Sequence, residues 1–187
     1  MPQFIHEQFI KDLSIADEYI EHFLNSQDKH VRGQVANKNG AYPDYTVKKS
    51  TELSVKEEHE SDLSKILCDE LQIILEGYIK IYPKIKDLSR FNMVPFNVQY
   101  YKPGEGFLTW HSERTSGSEP ATSRVLVWMM YCHTIEEGGG TEFMHQDYTC
   151  KSEKGKVVMW PADWTFTHRG EPCDKEKMIL TGWYNFV

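Results

Sequence analysis

Beyond Pro95 the chain is written in short runs of β-branched and aromatic residues, and this texture limits its fold more than any other feature. FNVQYY, GFLTWH, RVLVWMMYC, GTEFM, KVVMW and MILTGWYNFV follow one another, separated by clusters of Gly, Pro, Ser and Asp. No interval between them has the apolar period of a helix, so the crossovers that parallel strands require are missing. The runs must pair antiparallel, as a sandwich or barrel.

The first half reads differently. Ile15, Ala16, Tyr19, Ile20, Phe23 and Leu24 fall on one helical face, with Ser14 as the expected N-cap and Asp17 in the first turn. A longer helix is predicted from Asp62, on Leu63, Ile66, Leu67, Leu71, Ile74, Leu75 and Tyr78, and Pro83 ends it. Between them, Asn39-Gly40 and Pro43-Asp44 mark turns, and residues 46–55 (TVKKSTELSV) suggest a short strand. At 187 residues and 40% apolar composition the chain has enough hydrophobic side chains for one packed domain and too few for two of full size. The expectation is a single domain over 1–187, with helical support and first strands in 1–95 and the β core in 96–187.

Composition narrows the function classes. No apolar stretch approaches the roughly 20 residues of a membrane span, and the first residues, MPQFIHEQFIKDLS, lack the unbroken apolar run of a signal peptide. A soluble, cytoplasmic chain without membrane contact is expected. The net charge of −7 is spread over both halves, so the basic patch that phosphate backbones require is missing and no nucleic-acid partner is expected. Cys68, Cys132, Cys150 and Cys173 show no paired spacing and read as buried or reduced thiols.

His111-Ser112-Glu113 closes the predicted strand 106–111, and strand alternation would send His111 and Glu113 to one side. His168 stands just before the last strand. Two imidazoles and a carboxylate converging on a β-sandwich, with coordination positions left open, form the ligand set of a mononuclear non-haem iron(II) oxygenase. By itself an HxE pair is weak evidence, and a surface or capping role for His111 stays open. The KEEHE run around His59 reads as a solvated face, and His6, His22, His30, His133 and His145 as structural or exposed.

The order of motifs after Phe96 resembles the prolyl 4-hydroxylase-like family of iron(II)/2-oxoglutarate dioxygenases. That family carries Tyr-x-Pro-Gly-x-Gly ahead of its HxD pair, as Tyr101 to Gly106 precede His111 here. An arginine followed seven residues on by a tyrosine is matched by Arg124 and Tyr131. The glycine-led strand to a phenylalanine is Gly139 to Phe143, and the Lys-Gly strand is Lys154 to Pro161. The distal histidine, a basic residue shortly after it and a closing Trp-Tyr pair are His168, Lys177 and Trp183-Tyr184. The likeness is close over 96–187 and loose over the helices.

The resemblance implies a double-stranded β-helix (jelly-roll, cupin-like) with N-terminal helices. It implies Fe(II) on His111, Glu113 and His168, with 2-oxoglutarate and O2 as cosubstrates and ascorbate as reductant. Lys177 would pair with the outer carboxylate of 2-oxoglutarate, with Tyr131 as a second donor and Tyr101 as a third or as a core aromatic. The products would be succinate, CO2 and a hydroxylated C–H position. Peptidyl proline is the suggested substrate, and a free amino acid, another side chain or a small metabolite stays open. Arg169 and Arg124 are weaker candidates on the substrate side. Glu113 departs from the family's aspartate, and aspartate in its place is expected to keep activity while alanine is not. The loops 112–123 and 37–50 read as substrate loops or as connectors, and most of the five tryptophans as sandwich core. A cupin-like binding module and a redox-neutral metal enzyme are the alternatives.

Overall fold

The computed structural model describes residues 3–37, 40–55, 62–93, 95–115, 117 and 119–187. The first half contains β1 (His6–Phe9), α1 (Ser14–Asn25), β2 (Val31–Arg32), β3 (Val35–Asn37), β4 (Gly40–Tyr42), β5 (Thr51–Ser54), α2 (Asp62–Ile81) and β6 (Phe91–Met93). The second contains β7 (Asn97–Tyr101), β8 (Arg124–Tyr131), β9 (Thr141–Phe143), β10 (Tyr148–Cys150), β11 (Lys156–Pro161), β12 (His168–Gly170) and β13 (Lys177–Phe186). Two antiparallel sheets build the sandwich. The major one runs β1-β11-β8-β13-β7-β5-β2 with β6 added beside β13, and the minor one runs β10-β9-β12. The KEEHE run lies outside the described residues.

Both helices cover the outer face of the major sheet. Ile15, Ala16, Tyr19 and Phe23 of α1 and Leu67, Leu71, Ile74, Leu75 and Tyr78 of α2 are buried against Leu126, Trp128 and Met130 of β8 and Leu180 and Tyr184 of β13. The alternate residues of the same strands, Val127, Met129, Tyr131 and Ile179, point inward to a second cluster with Phe143, Val158 and Trp160. A period of two thus sorts one sequence into two cores. Gly182 is dictated by this packing, since a Cβ there would stand 2.8 Å from the Trp128 indole.

Several expectations need correction. Ser14 is the first helical residue and not the cap: its amide donates to Asp12 Oδ1 at 2.9 Å. Ile66 is exposed, so the buried stripe of α2 is narrower than the sequence pattern. Residues 106–111 do not form a strand; they make isolated bridges, Lys48 to Phe107 and His111 to His168. Alternation therefore does not govern His111 and Glu113. Only Trp128 and Trp160 are fully buried, Trp110 and Trp183 are half-buried and Trp164 is exposed. All four cysteines are free thiols, three of them buried. Among the described residues no helix is long and apolar enough to cross a membrane.

Candidate metal centre

Segment 107–111 runs along the edge of the minor sheet. His111 and His168 exchange both backbone hydrogen bonds, at 2.9 and 2.8 Å, and the Gly170 amide donates to the Phe107 carbonyl at 2.8 Å. This pairing sets the two imidazoles side by side, with ring centroids 4.3 Å apart. Phe107 stacks flat on His111 at 3.5 Å, and Trp160 meets His168 edge-on at 5.0 Å, so both rings are held by packing. His168 is buried on the inside of the sandwich.

The tautomers follow from the backbone. His111 Nδ1 lies 2.9 Å from the Thr109 carbonyl and His168 Nδ1 2.8 Å from the Phe166 carbonyl. A ring N–H donating there leaves the Nε2 lone pair of each ring directed at a shared centre. Glu113 Oε1 faces the same point, 3.7 Å from His111 Nε2 and 3.5 Å from His168 Nε2. The three donor atoms lie within 4.8 Å of one another. Metal–ligand bonds of about 2.0 to 2.2 Å fit inside that triangle, so the donor set suits one divalent ion. Burial, with His168 next to it, pulls the His111 imidazole down to about 3, which keeps it neutral and fit to ligate. Burial works to raise the Glu113 carboxyl, but the neighbouring His168, His111 and Arg124 outweigh it and hold the group ionised.

The other oxygen of Glu113 is engaged elsewhere. Oε2 accepts from Arg124 Nη1 and from Trp183 Nε1, each at 3.0 Å. The same Arg124 nitrogen donates to the Glu113 carbonyl at 2.8 Å, and its guanidinium lies 4.0 Å from the Trp183 ring centroid. Arg124, expected on the substrate side, is thus tied to a candidate ligand. Sequence reasoning missed Trp183 in this role, although period two along β13 puts it on the face of Lys177.

Lys177 is buried, and among the described residues no carboxylate comes within ion-pair distance of it. Its Nζ donates to the Gly139 carbonyl at 3.1 Å and lies 5.2 Å from the Tyr101 ring centroid. Gly139 has φ +72°, a left-handed conformation that favours glycine. Burial lowers the ammonium to about 8, with Cys173 and Glu171 acting the other way. The Tyr131 hydroxyl donates to Thr141 Oγ1 at 2.8 Å and that of Tyr101 to Gln99 Oε1 at 2.7 Å. Burial pushes both phenols well up, so both remain donors. Arg169 turns outward, paired with Glu142 and lying 4.4 Å from the Trp110 ring centroid. Past β4, within the stretch read as a loop, the Lys49 amide donates to the Gly106 carbonyl at 2.9 Å.

Residues 96–185 match the model of the 2OG-Fe(II) oxygenase superfamily, a span that holds His111, Glu113, Arg124, His168, Lys177 and Trp183. No curated protein sequence matches the chain significantly. Among solved structures, a viral collagen prolyl hydroxylase from Paramecium Bursaria Chlorella virus-1, crystallised with 2OG, aligns with a TM-score of 0.70 at 17% identity. The alignment covers 99% of this chain and 97% of the viral one. A Pseudomonas putida prolyl-4-hydroxylase aligns at 0.71 and 13% identity, over 98% of this chain and 92% of the other. A Trichoplax adhaerens prolyl hydroxylase, in complex with a hypoxia inducible factor peptide fragment, aligns at 0.73 and 13% identity, over 97% and 83%. At such identities the likeness is one of fold, and it identifies the sandwich as a double-stranded β-helix.

Proposed function

We propose that this chain, a 2OG-Fe(II) oxygenase by its residues 96–185, hydroxylates a proline within a peptide. The observation that carries the reading is the convergence of His111 Nε2, Glu113 Oε1 and His168 Nε2 inside a fold shared with prolyl hydroxylases. In this reading those three atoms hold iron(II). Bound iron supplies the redox chemistry by which O2 converts 2-oxoglutarate to succinate and CO2 and places one oxygen atom on the substrate. The chain's own contribution is to hold the parts and to exclude water.

Lys177 supports the cosubstrate assignment. Its ammonium lies 3.7 Å from where a Cβ on Gly170 would stand, two residues along β12 from His168. That step is about 7 Å, which suits a short dicarboxylate bridging the metal position and the lysine. A buried cation without a carboxylate is costly, and an incoming carboxylate relieves that cost through a charge-assisted hydrogen bond. Tyr131, a neutral phenol, supplies the second donor by turning its hydrogen from Thr141. Tyr101 acts less directly, through its ring beneath Lys177 and its bond to Gln99.

The test is turnover. With Fe(II), ascorbate and 2-oxoglutarate, the protein should release succinate and add 16 Da to proline-containing peptides, and not to free proline. Succinate release with oxygen only on free amino acids would remove peptidyl proline and keep the oxygenase. No succinate with any substrate pool would remove both.

A further inference from the structure

Resting on the metal-centre reading, we infer that Trp183 and Arg124 form a clamp that makes glutamate, and not aspartate, the fitting ligand at position 113. Glu113 divides its two oxygens. Oε1 faces the two imidazole nitrogens, and Oε2 is taken up by the indole N–H of Trp183 and by Arg124 Nη1. The carboxylate thus bridges two sites on opposite sides of itself. Aspartate draws the group back by one carbon–carbon bond, about 1.5 Å. It can keep its metal-facing oxygen or its clamp, but not both, because the Glu113 backbone is itself fixed by Arg124 at the carbonyl. Aspartate at 113, expected to keep activity, would on this geometry keep it only with a weaker hold on the metal.

Trp183 and Arg124 are positioning residues, and their effects on a metal differ. Arg124 brings a positive charge toward a dication, so its removal weakens orientation but relieves repulsion, and the two oppose each other. Trp183 is neutral, and Trp183→Phe deletes one donor while leaving an aromatic face for the guanidinium at 4.0 Å. That substitution isolates the clamp. A lost hydrogen bond to a charged group corresponds to roughly tenfold to a hundredfold in binding.

The experiment is titration of the full chain with Co(II), read by calorimetry and by the ligand-field absorption of the bound ion. Metal-free melting curves identify variants that still fold. Trp183→Phe and Glu113→Asp should each bind Co(II) at least tenfold more weakly than wild type, with an altered absorption band. Wild-type affinity and spectrum in either variant would overturn the clamp and leave the metal centre standing. Absence of Co(II) binding in the wild-type protein itself would overturn the metal centre and the clamp with it.

Discussion

The major sheet has two faces, made by alternate residues of the same strands, and they obey different rules. Outward, Trp128, Met130, Leu180 and Tyr184 meet two amphipathic helices, and the contact is almost entirely apolar. Inward, the same strands carry Tyr131, Lys177 and Trp183, which donate to Thr141, Gly139 and Glu113 respectively. The outer face concentrates stabilising burial. The inner face holds groups whose desolvation opposes folding, including a lone ammonium and an ionised carboxylate. The difference teaches that one β-strand can serve stability and chemistry together, provided that each has its own side.

That contrast can be broken first at the candidate metal ligands. His168→Ala should abolish Co(II) binding and succinate release, while the metal-free melting temperature changes little. Loss of folding in this variant would show that the inner face is structural after all. On the outer face, Leu71→Ala removes a fully buried side chain from α2 and should cost about 2 to 5 kcal/mol in denaturant unfolding. Its affinity for 2-oxoglutarate should stay at the wild-type value. A specific loss of that affinity in the folded variant would deny the separation of the two faces.

Lys177→Met sharpens the comparison, because its two effects have opposite signs. Removing a buried ammonium without a carboxylate partner should raise the melting temperature at neutral pH. Losing the same group should weaken 2-oxoglutarate binding by roughly tenfold to several hundredfold. A variant less stable than wild type with undiminished affinity would make Lys177 a packing residue.

The outer face was the more legible from sequence. Periodicity located both helices, and the apolar runs after Pro95 located β7, β8, β9, β11 and β13. Strands of two to four residues, such as β1, β2 and β12, are too short to show a period. The candidate metal ligands stand out through motif order, yet strand alternation does not aim His111 and Glu113. Residues 107–111 pair with β12 at isolated points, so tertiary hydrogen bonds and not alternation aim those side chains. The Trp183 bond to Glu113 joins residues 70 apart, and no local pattern encodes such a contact.

The smallest expected effect is a pH dependence, and it again runs in two directions. Burial sets the Lys177 ammonium at about 8 in the folded protein, against an ordinary value of 10.5. Between those values the unfolded chain keeps a proton that the folded protein has released, so this group's contribution to stability rises with pH across that window. Its destabilising cost is present in full below about pH 8. Binding of 2-oxoglutarate runs the other way, since the carboxylate needs the ammonium. Affinity should be level below pH 8 and fall up to tenfold for each further unit, about tenfold at pH 9. Calorimetry with the Mn(II)-loaded protein measures this. Lys177→Arg, which stays charged throughout, gives the slope caused by every other group. Equal slopes in the two proteins would detach Lys177 from the cosubstrate, and a steeper slope in the wild type ties the buried ammonium of the inner face to it.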